Sequence, residues 1–447
     1  VTIDEADHKG LHSGMPGRRR GGRVTTLVVG AVLAAAGCSS PSQAASTATS
    51  TAPVPTVAAS AGGSAAGSSS GAVLPLDHAA LDKVVADIAT ELRQPGMAVL
   101  IRTPQGEYVN AYGVTERNGT TPVALNTRVR VGSNTKTWTG TAVLQMVQEG
   151  KIALTDPVSK YVPGVPGGDA ITIAQLGDMR SGLYNYSETL ELNTALDDEP
   201  QKVWTTEQLL GLAFAHPAYF PPGQGWHYSN TNTVLLGEIA EKIDGKPLGR
   251  IFQDRFFTPL GMTGTSYPAA TDTAIPAPSS HGYLYGTNVE TMENPSIPAD
   301  QLAQVEAGTL APKDVTNDNP SWTGAAGQGI STASDLATWV EAMVGGKLLD
   351  AATQQTRMDG VLPTGKGTSY GFTLAKMGPL YGHTGELPGF NSFMGYDPVN
   401  KVTIVAWGNS APFADGRPPA VTLVQALVPH LYAAAPAADI PAGELPE

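Results

Sequence analysis

The 447-residue sequence holds a single cysteine, Cys38, so no disulfide and no cysteine-built metal site can form within the chain. It has no H-E-x-x-H helix and no EF-hand loop, which leaves metal chemistry without a sequence signature. Basic residues are few, 27 Lys and Arg against 40 Asp and Glu for a net charge of -13, and none cluster after residue 40. A nucleic-acid interface would need a basic face, so that class of partner is excluded. The acidic balance speaks to solubility and steering, and is silent on fold. The apolar run from Val24 to Ala36 is shorter than the ~20 residues that cross a bilayer.

What that run does have is context. Arg18, Arg19, Arg20 and Arg23 precede it, and Gly37-Cys38 follow it. A basic stretch, a short apolar stretch and small residues before a cut describe a secretory signal. Ala35-Ala36-Gly37-Cys38 resembles a bacterial lipobox with Ala in place of the usual Leu, which implies export and a lipid anchor on Cys38 at the outer face of the cell membrane. The signal reads more naturally from Met15, with residues 1–14 as a start-site extension to a signal peptide spanning 1–37. From Ser39 to about Gly71 the chain is Ser, Ala, Thr, Gly and Pro without charge. Such a segment buries too little apolar surface to offset its ordering entropy, and 38–73 is expected to be a tether. The folded domain is expected over 74–435, with a tail at 436–447.

Residues 77–92 place Leu81, Val84, Val85, Ile88 and Leu92 on one helical face. Met97–Arg102 and Glu107–Tyr112 read as strands around a Pro-Gln-Gly turn. Helix signals dominate from about 133 to 345. Strands return at 369–376, 380–385, 389–396 and 401–408, with Asp397-Pro398-Val399-Asn400 as a hairpin turn, and a helix at 418–432 closes the chain. Strands at both ends and helices between predict an α+β domain: an antiparallel sheet built from the N- and C-terminal segments, flanked by helices, with a mostly helical lobe inserted.

Three short motifs carry chemistry. Ser133-Asn134-Thr135-Lys136 is expected to open a helix that runs to Glu149 and stops at Gly150, with an apolar face of Trp138, Ala142, Val143, Met146 and Val147. Residues three apart share a helix face, so Lys136 stands one turn from Ser133. A serine hydroxyl needs a neighbouring base to become a nucleophile, and a desolvated lysine can serve. A helix N-terminus adds N–H groups for a developing oxyanion. Tyr228-Ser229-Asn230 reads as a loop entering a buried helix, where a tyrosine beside a lysine can move protons and Asn230 can bond a substrate amide. His383-Thr384-Gly385 lies on a strand, where Gly385 permits close backbone approach and the strand edge can pair with a substrate. Each motif alone has a plain structural explanation: an N-capping serine with a solvated lysine, a turn with a cap, a satisfied strand histidine.

Taken in order, S-x-x-K, Y-x-N and H-T-G resemble the β-lactamase-like serine hydrolases, which include class C β-lactamases and D-alanyl-D-alanine carboxypeptidases. The resemblance extends through Glu149-Gly150-Lys151-Ile152, Ser181-Gly182-Leu183, Pro259-Leu260-Gly261-Met262 and Gly329-Ile330-Ser331-Thr332, and covers roughly residues 75–432. It implies an acyl-enzyme on Ser133, with Lys136 and Tyr228 sharing base and acid work and no cofactor or metal. It implies further that Asn230 holds the acyl side chain, that His383, Thr384 and Gly385 line the edge strand, and that the N–H groups of Ser133 and Glu386 form an oxyanion hole. Trp322 would line the entrance. The implied ligands are peptidoglycan stem peptides or β-lactams. Two departures stand out. Only Lys376 is available on the preceding strand to meet a substrate carboxylate, and Glu386 stands where a hydroxyl residue is usual. A pocket-facing Glu386 would favour neutral esters or amides. A carboxylesterase on the same scaffold and a non-catalytic penicillin-binding surface lipoprotein are the rival readings. Two further matches are set aside: Gly367-Thr368-Ser369-Tyr370-Gly371, which fits G-x-S-x-G but lies before strand-like residues, and Thr332-Ala333-Ser334-Asp335, read as a capping box for a helix over 333–344.

Overall fold

In a computed structural model, residues 72–364 and 368–433 are described. The leader, Cys38, most of the tether and the tail lie outside them. The first helix, α1 (His78–Glu91), begins at Asp77, whose side chain accepts from Ala80 N at 3.1 Å, an N-cap that satisfies one of the orphan N–H groups of the first turn. Leu81, Val85 and Ala89 on its inner face are buried. Strands β1 (Gly96–Thr103) and β2 (Gly106–Gly113) follow as an antiparallel hairpin. The inserted lobe carries α2 (Thr135–Gln148), α3 (Asn230–Asp244) and α4 (Ala333–Val344), with shorter helices between them. Then come β3 (Leu362–Pro363), β4 (Ser369–Gly371), β5 (Leu374–Met377), β6 (Leu380–Leu387), β7 (Phe390–Asp397), β8 (Val402–Gly408) and α5 (Pro419–Leu427).

The strands form one sheet in the order β2-β1-β8-β7-β6-β5-β4-β3. Strand β1 pairs antiparallel with β8 in the register Met97↔Gly408 through Arg102↔Thr403, so the two ends of the folded region meet side by side in the sheet, as the sequence predicts. The period-2 alternation of strands sorts side chains cleanly: Ala98, Leu100, Val405 and Trp407 join the larger core under α2 and α4, while Met97, Val99, Ile101, Ile404 and Ala406 join the core shared with α1 and α5. The β7–β8 turn is fixed by the Asp397 carboxylate, which accepts from Val399 N and Asn400 N at 2.9 and 3.1 Å. Ala433 N donates to Ala72 O and Leu74 N to Leu431 O, so pairing begins two residues before the expected start of the domain.

Three expectations need correction. The stretch 369–376 is two strands, broken at Phe372-Thr373 by the positive φ of Thr373 (50°). Helix α2 has no one-sided apolar face: every residue from Thr135 to Leu144 is buried. The hydroxyls of Thr137, Thr139 and Thr141 make this tolerable by donating to the carbonyls of Asn134, Ala325 and Thr137. Thr332 caps α4 by accepting from Asp335 N at 3.2 Å, but the reciprocal half of the box is missing. The Asp335 carboxylate instead accepts from Gly264 N and Thr265 Oγ1.

Candidate active site

Ser133 lies in a 3-10 turn, Gly132–Asn134, and α2 starts only at Thr135; the serine precedes the helix rather than opening it. The turn exists because Gly132 takes a φ of +52°, a region costly for residues with a Cβ. A Cβ on Gly132 would stand 2.6 Å from the nitrogen of Glu386, and one on Gly385 would stand 1.9 Å from Val131 O. These two glycines therefore let the turn and β6 meet backbone to backbone. Asn134 Nδ2 donates to Ser392 Oγ at 2.8 Å, and Ser392 Oγ donates to Val131 O at 3.0 Å, fastening the turn to β7 as well.

Lys136 is fully buried. Its Nζ lies 2.8 Å from Ser133 Oγ, 2.6 Å from Asn230 Oδ1 and 3.1 Å from Ala326 O. This geometry serves both protonation states. An ammonium donates to all three oxygens. A neutral amine can still donate to Asn230 and Ala326 while its lone pair faces the serine hydroxyl, which is the arrangement of a general base. The Tyr228 ring lies 4.8 Å from the same Nζ, and Tyr228 lines the adjoining cavity.

Asn230 also borders the cavity, but its amide is already committed: Oδ1 to Lys136, and Nδ2 to Ser187 Oγ at 3.0 Å. Its primary contact is with the lysine. His383 is fully buried and does not line the cavity, and neither do Thr384 and Gly385. Its Nδ1 lies 2.6 Å from Thr384 O and must carry the proton, leaving Nε2 to accept from Tyr370 OH at 3.0 Å. Burial, then the charge of Lys136, pushes the imidazole down to about 3, so it is neutral. All three residues lie within β6. Strand β5 pairs with β6 only over Leu380–Gly382, and beyond that no strand flanks β6 on this side among the described residues.

The cavity beside Ser133 measures about 380 Å³, and its walls include Glu188, Trp322 and Glu386. Glu386 Oε2 accepts from Asn391 Nδ2 at 2.9 Å. Lys376 does not line it; its Nζ lies 5.3 Å from the Tyr381 ring. Among the described residues no group of three or more His, Cys, Asp or Glu is placed to hold a metal. Ser369 of the rejected G-x-S-x-G match heads the short β4 and is likewise absent from the cavity wall.

One cluster escaped the sequence reading. The Glu188 carboxylate accepts from Asn185 Nδ2 at 3.1 Å, from His227 Nε2 at 2.9 Å, and from Tyr219 OH. Burial works to raise this carboxyl, but His227, Tyr219 and Asn185 outweigh it and hold the group below its ordinary range. Asn185 Oδ1 also accepts from Asn230 N at 3.0 Å, tying the cluster to the start of α3. The one sequence signal was the adjacency of His227 to Tyr228; nothing in spacing or periodicity marks Glu188.

The beta-lactamase family model matches residues 81–427. A penicillin-binding protein of Bacillus subtilis (strain 168) is 26% identical over 298 residues, 64% of this chain and 62% of that protein, so the chain matches less than two thirds of this relative's length. Among solved structures, a D-stereospecific amidohydrolase from Streptomyces sp. superposes with a TM-score of 0.66 at 30% identity, covering 78% of this chain and 98% of that one. The D-amino acid amidase of Ochrobactrum anthropi SV3 has the same fold, with a TM-score of 0.66 at 24% identity over 78% of this chain and 96% of that one.

Proposed function

We propose, from the premise that this chain belongs to the beta-lactamase family, that it is a serine amidohydrolase of D-aminoacyl amides working through an acyl-enzyme on Ser133. The observation that carries the reading is the buried Lys136 Nζ at 2.8 Å from the Oγ of Ser133, a serine that itself lines a cavity large enough for a small amide. Lys136 takes the hydroxyl proton as Oγ attacks the carbonyl carbon. The N–H groups of Ser133 and Glu386, brought together by the glycine contact, receive the oxyanion. Tyr228 and Lys136 return the proton to the departing amine, and water then hydrolyses the ester by the reverse proton path.

The amide class rests on Glu188. A carboxylate held anionic on the cavity wall by three donors is complementary to an ammonium group, which a free α-amino acid amide presents. The similarity to a protein described as a D-stereospecific amidohydrolase supports the same substrate class and the D configuration. Wild type is expected to hydrolyse D-phenylalaninamide well and its N-acetyl derivative poorly. Glu188→Gln should shrink that preference about tenfold or more, the scale of a lost charge-assisted contact. A ratio of kcat/KM values unchanged in Glu188→Gln removes Glu188 from substrate recognition.

The Arg-rich segment, the apolar run and the lone Cys38 support export and lipid anchoring of this domain. Wild-type protein expressed in a bacterial host should partition with membranes and Cys38→Ala should be released; a Cys38→Ala protein that stays membrane-bound refutes the anchor.

A further inference from the structure

The cavity wall beside Ser133 carries three carboxylates, Glu188, Glu293 and Glu386, and no Lys, Arg or His among the described residues that line it. The family's penicillin-type ligands and the C-terminal ends of peptides are carboxylates, and none of these side chains can pair with one. The placement of Glu386 sharpens this. Its backbone nitrogen is in near contact with Gly132, the residue before Ser133, and Glu386 and Ser133 line the same cavity. Asn391 settles where that side chain rests. The buried Asn391 side chain accepts from Ala420 N at 2.8 Å through Oδ1, which turns its Nδ2 towards Glu386 Oε2 at 2.9 Å. The carboxylate is thereby held on the sheet wall, with Pro412, Gly416 and Pro418 on the same cavity lining. Glu188 stands on the inserted lobe, tied through Asn185 to the start of α3.

We infer that Glu386 is a specificity-determining residue that excludes substrates bearing a carboxylate on the leaving group. The inference rests on the amidohydrolase reading: an acyl ammonium held at Glu188 directs the other side of the scissile bond towards Glu386. A carboxylate there meets a fixed like charge in a partly dehydrated site, where repulsion is much stronger than in water. The enzyme therefore releases ammonia or uncharged amines and discriminates against terminal D-amino acids.

The test uses the full chain and a serine-directed fluorophosphonate. D-alanyl-D-alanine and D-alanyl-D-alaninamide are compared for protection of Ser133 from labelling, at low and high salt, in wild type, Glu386→Gln and Glu386→Thr. Wild type should be protected by the amide at about tenfold lower concentration or better than by the acid, and added salt should narrow the gap. The gap should close towards unity in Glu386→Gln, which preserves shape, and in Glu386→Thr, which also frees space. One and the same ratio in all three proteins overturns the inference alone. A wild type that takes no label at Ser133 overturns the amidohydrolase reading beneath it.

Discussion

Ser133→Ala is expected to abolish covalent labelling by serine-directed probes and to lower kcat/KM on D-aminoacyl amides by about 10⁴-fold or more, as removal of a nucleophile does. The fold should survive. Ser133 is in a turn shaped by Gly132, not by its own side chain, and the lost hydrogen bond to Lys136 is worth about 1 kcal/mol. Intact mass spectrometry after incubation with a fluorophosphonate reads the first effect and thermal unfolding the second. An adduct of undiminished stoichiometry on Ser133→Ala would assign the nucleophile elsewhere and leave the buried lysine without a partner in catalysis.

The second large effect is at Lys136. Lys136→Met keeps the length and most of the volume of the side chain but removes its nitrogen, so α2 stays packed while Ser133 loses its base. Acylation should slow by about 10²–10⁴-fold, the usual contribution of a positioned proton acceptor. Stopped labelling time courses against pH are the measurement: the slow residual reaction should climb with hydroxide instead of following a titrating side chain. Acylation within a few-fold of wild type would show that another group, such as Tyr228, takes the proton unaided.

The legibility of this molecule differed from element to element, for physical reasons. The hairpins were plain in the sequence because strand alternation and turn residues are local signals: β1 and β2 pair across Thr103↔Gly106, and Asp397 forms its turn with its own neighbours. The pairing of Lys136 with Ser133 was legible because a three-residue spacing is enough to bring the two side chains together. The 3-10 turn was not, since it depends on Gly132 fitting against Glu386, a contact between positions far apart in the chain. For the same reason Asn230 was assigned to the substrate when its amide also holds Lys136 and Ser187, and His383 was expected to line a substrate-binding edge strand when its ring turns inward to Tyr370. Glu188 is the sharpest case. Its partners Asn185, Tyr219 and His227 come from the loops around the short helices of the inserted lobe, and one acidic residue at the end of a one-turn 3-10 helix carries no signature until the fold gathers the donors around it. A resemblance of motifs supplied what spacing could not, above all that three weak patterns belong to one site.

The sheet order has a consequence for how this protein comes into being. Strand β1 leaves the ribosome early, yet its partner β8 ends at Gly408, and β6, which closes against the nucleophile turn, also lies late in the chain. During synthesis one edge of β1 is unmatched until β8 emerges, and the turn that holds Ser133 lacks both its backbone contact with β6 and its fastening to Ser392. Such distant pairings form slowly because the loop between them must first be closed. The proposed site is therefore incomplete until β6, β7 and β8 have all been made, and the proposed activity is expected to appear only after Gly408 has emerged.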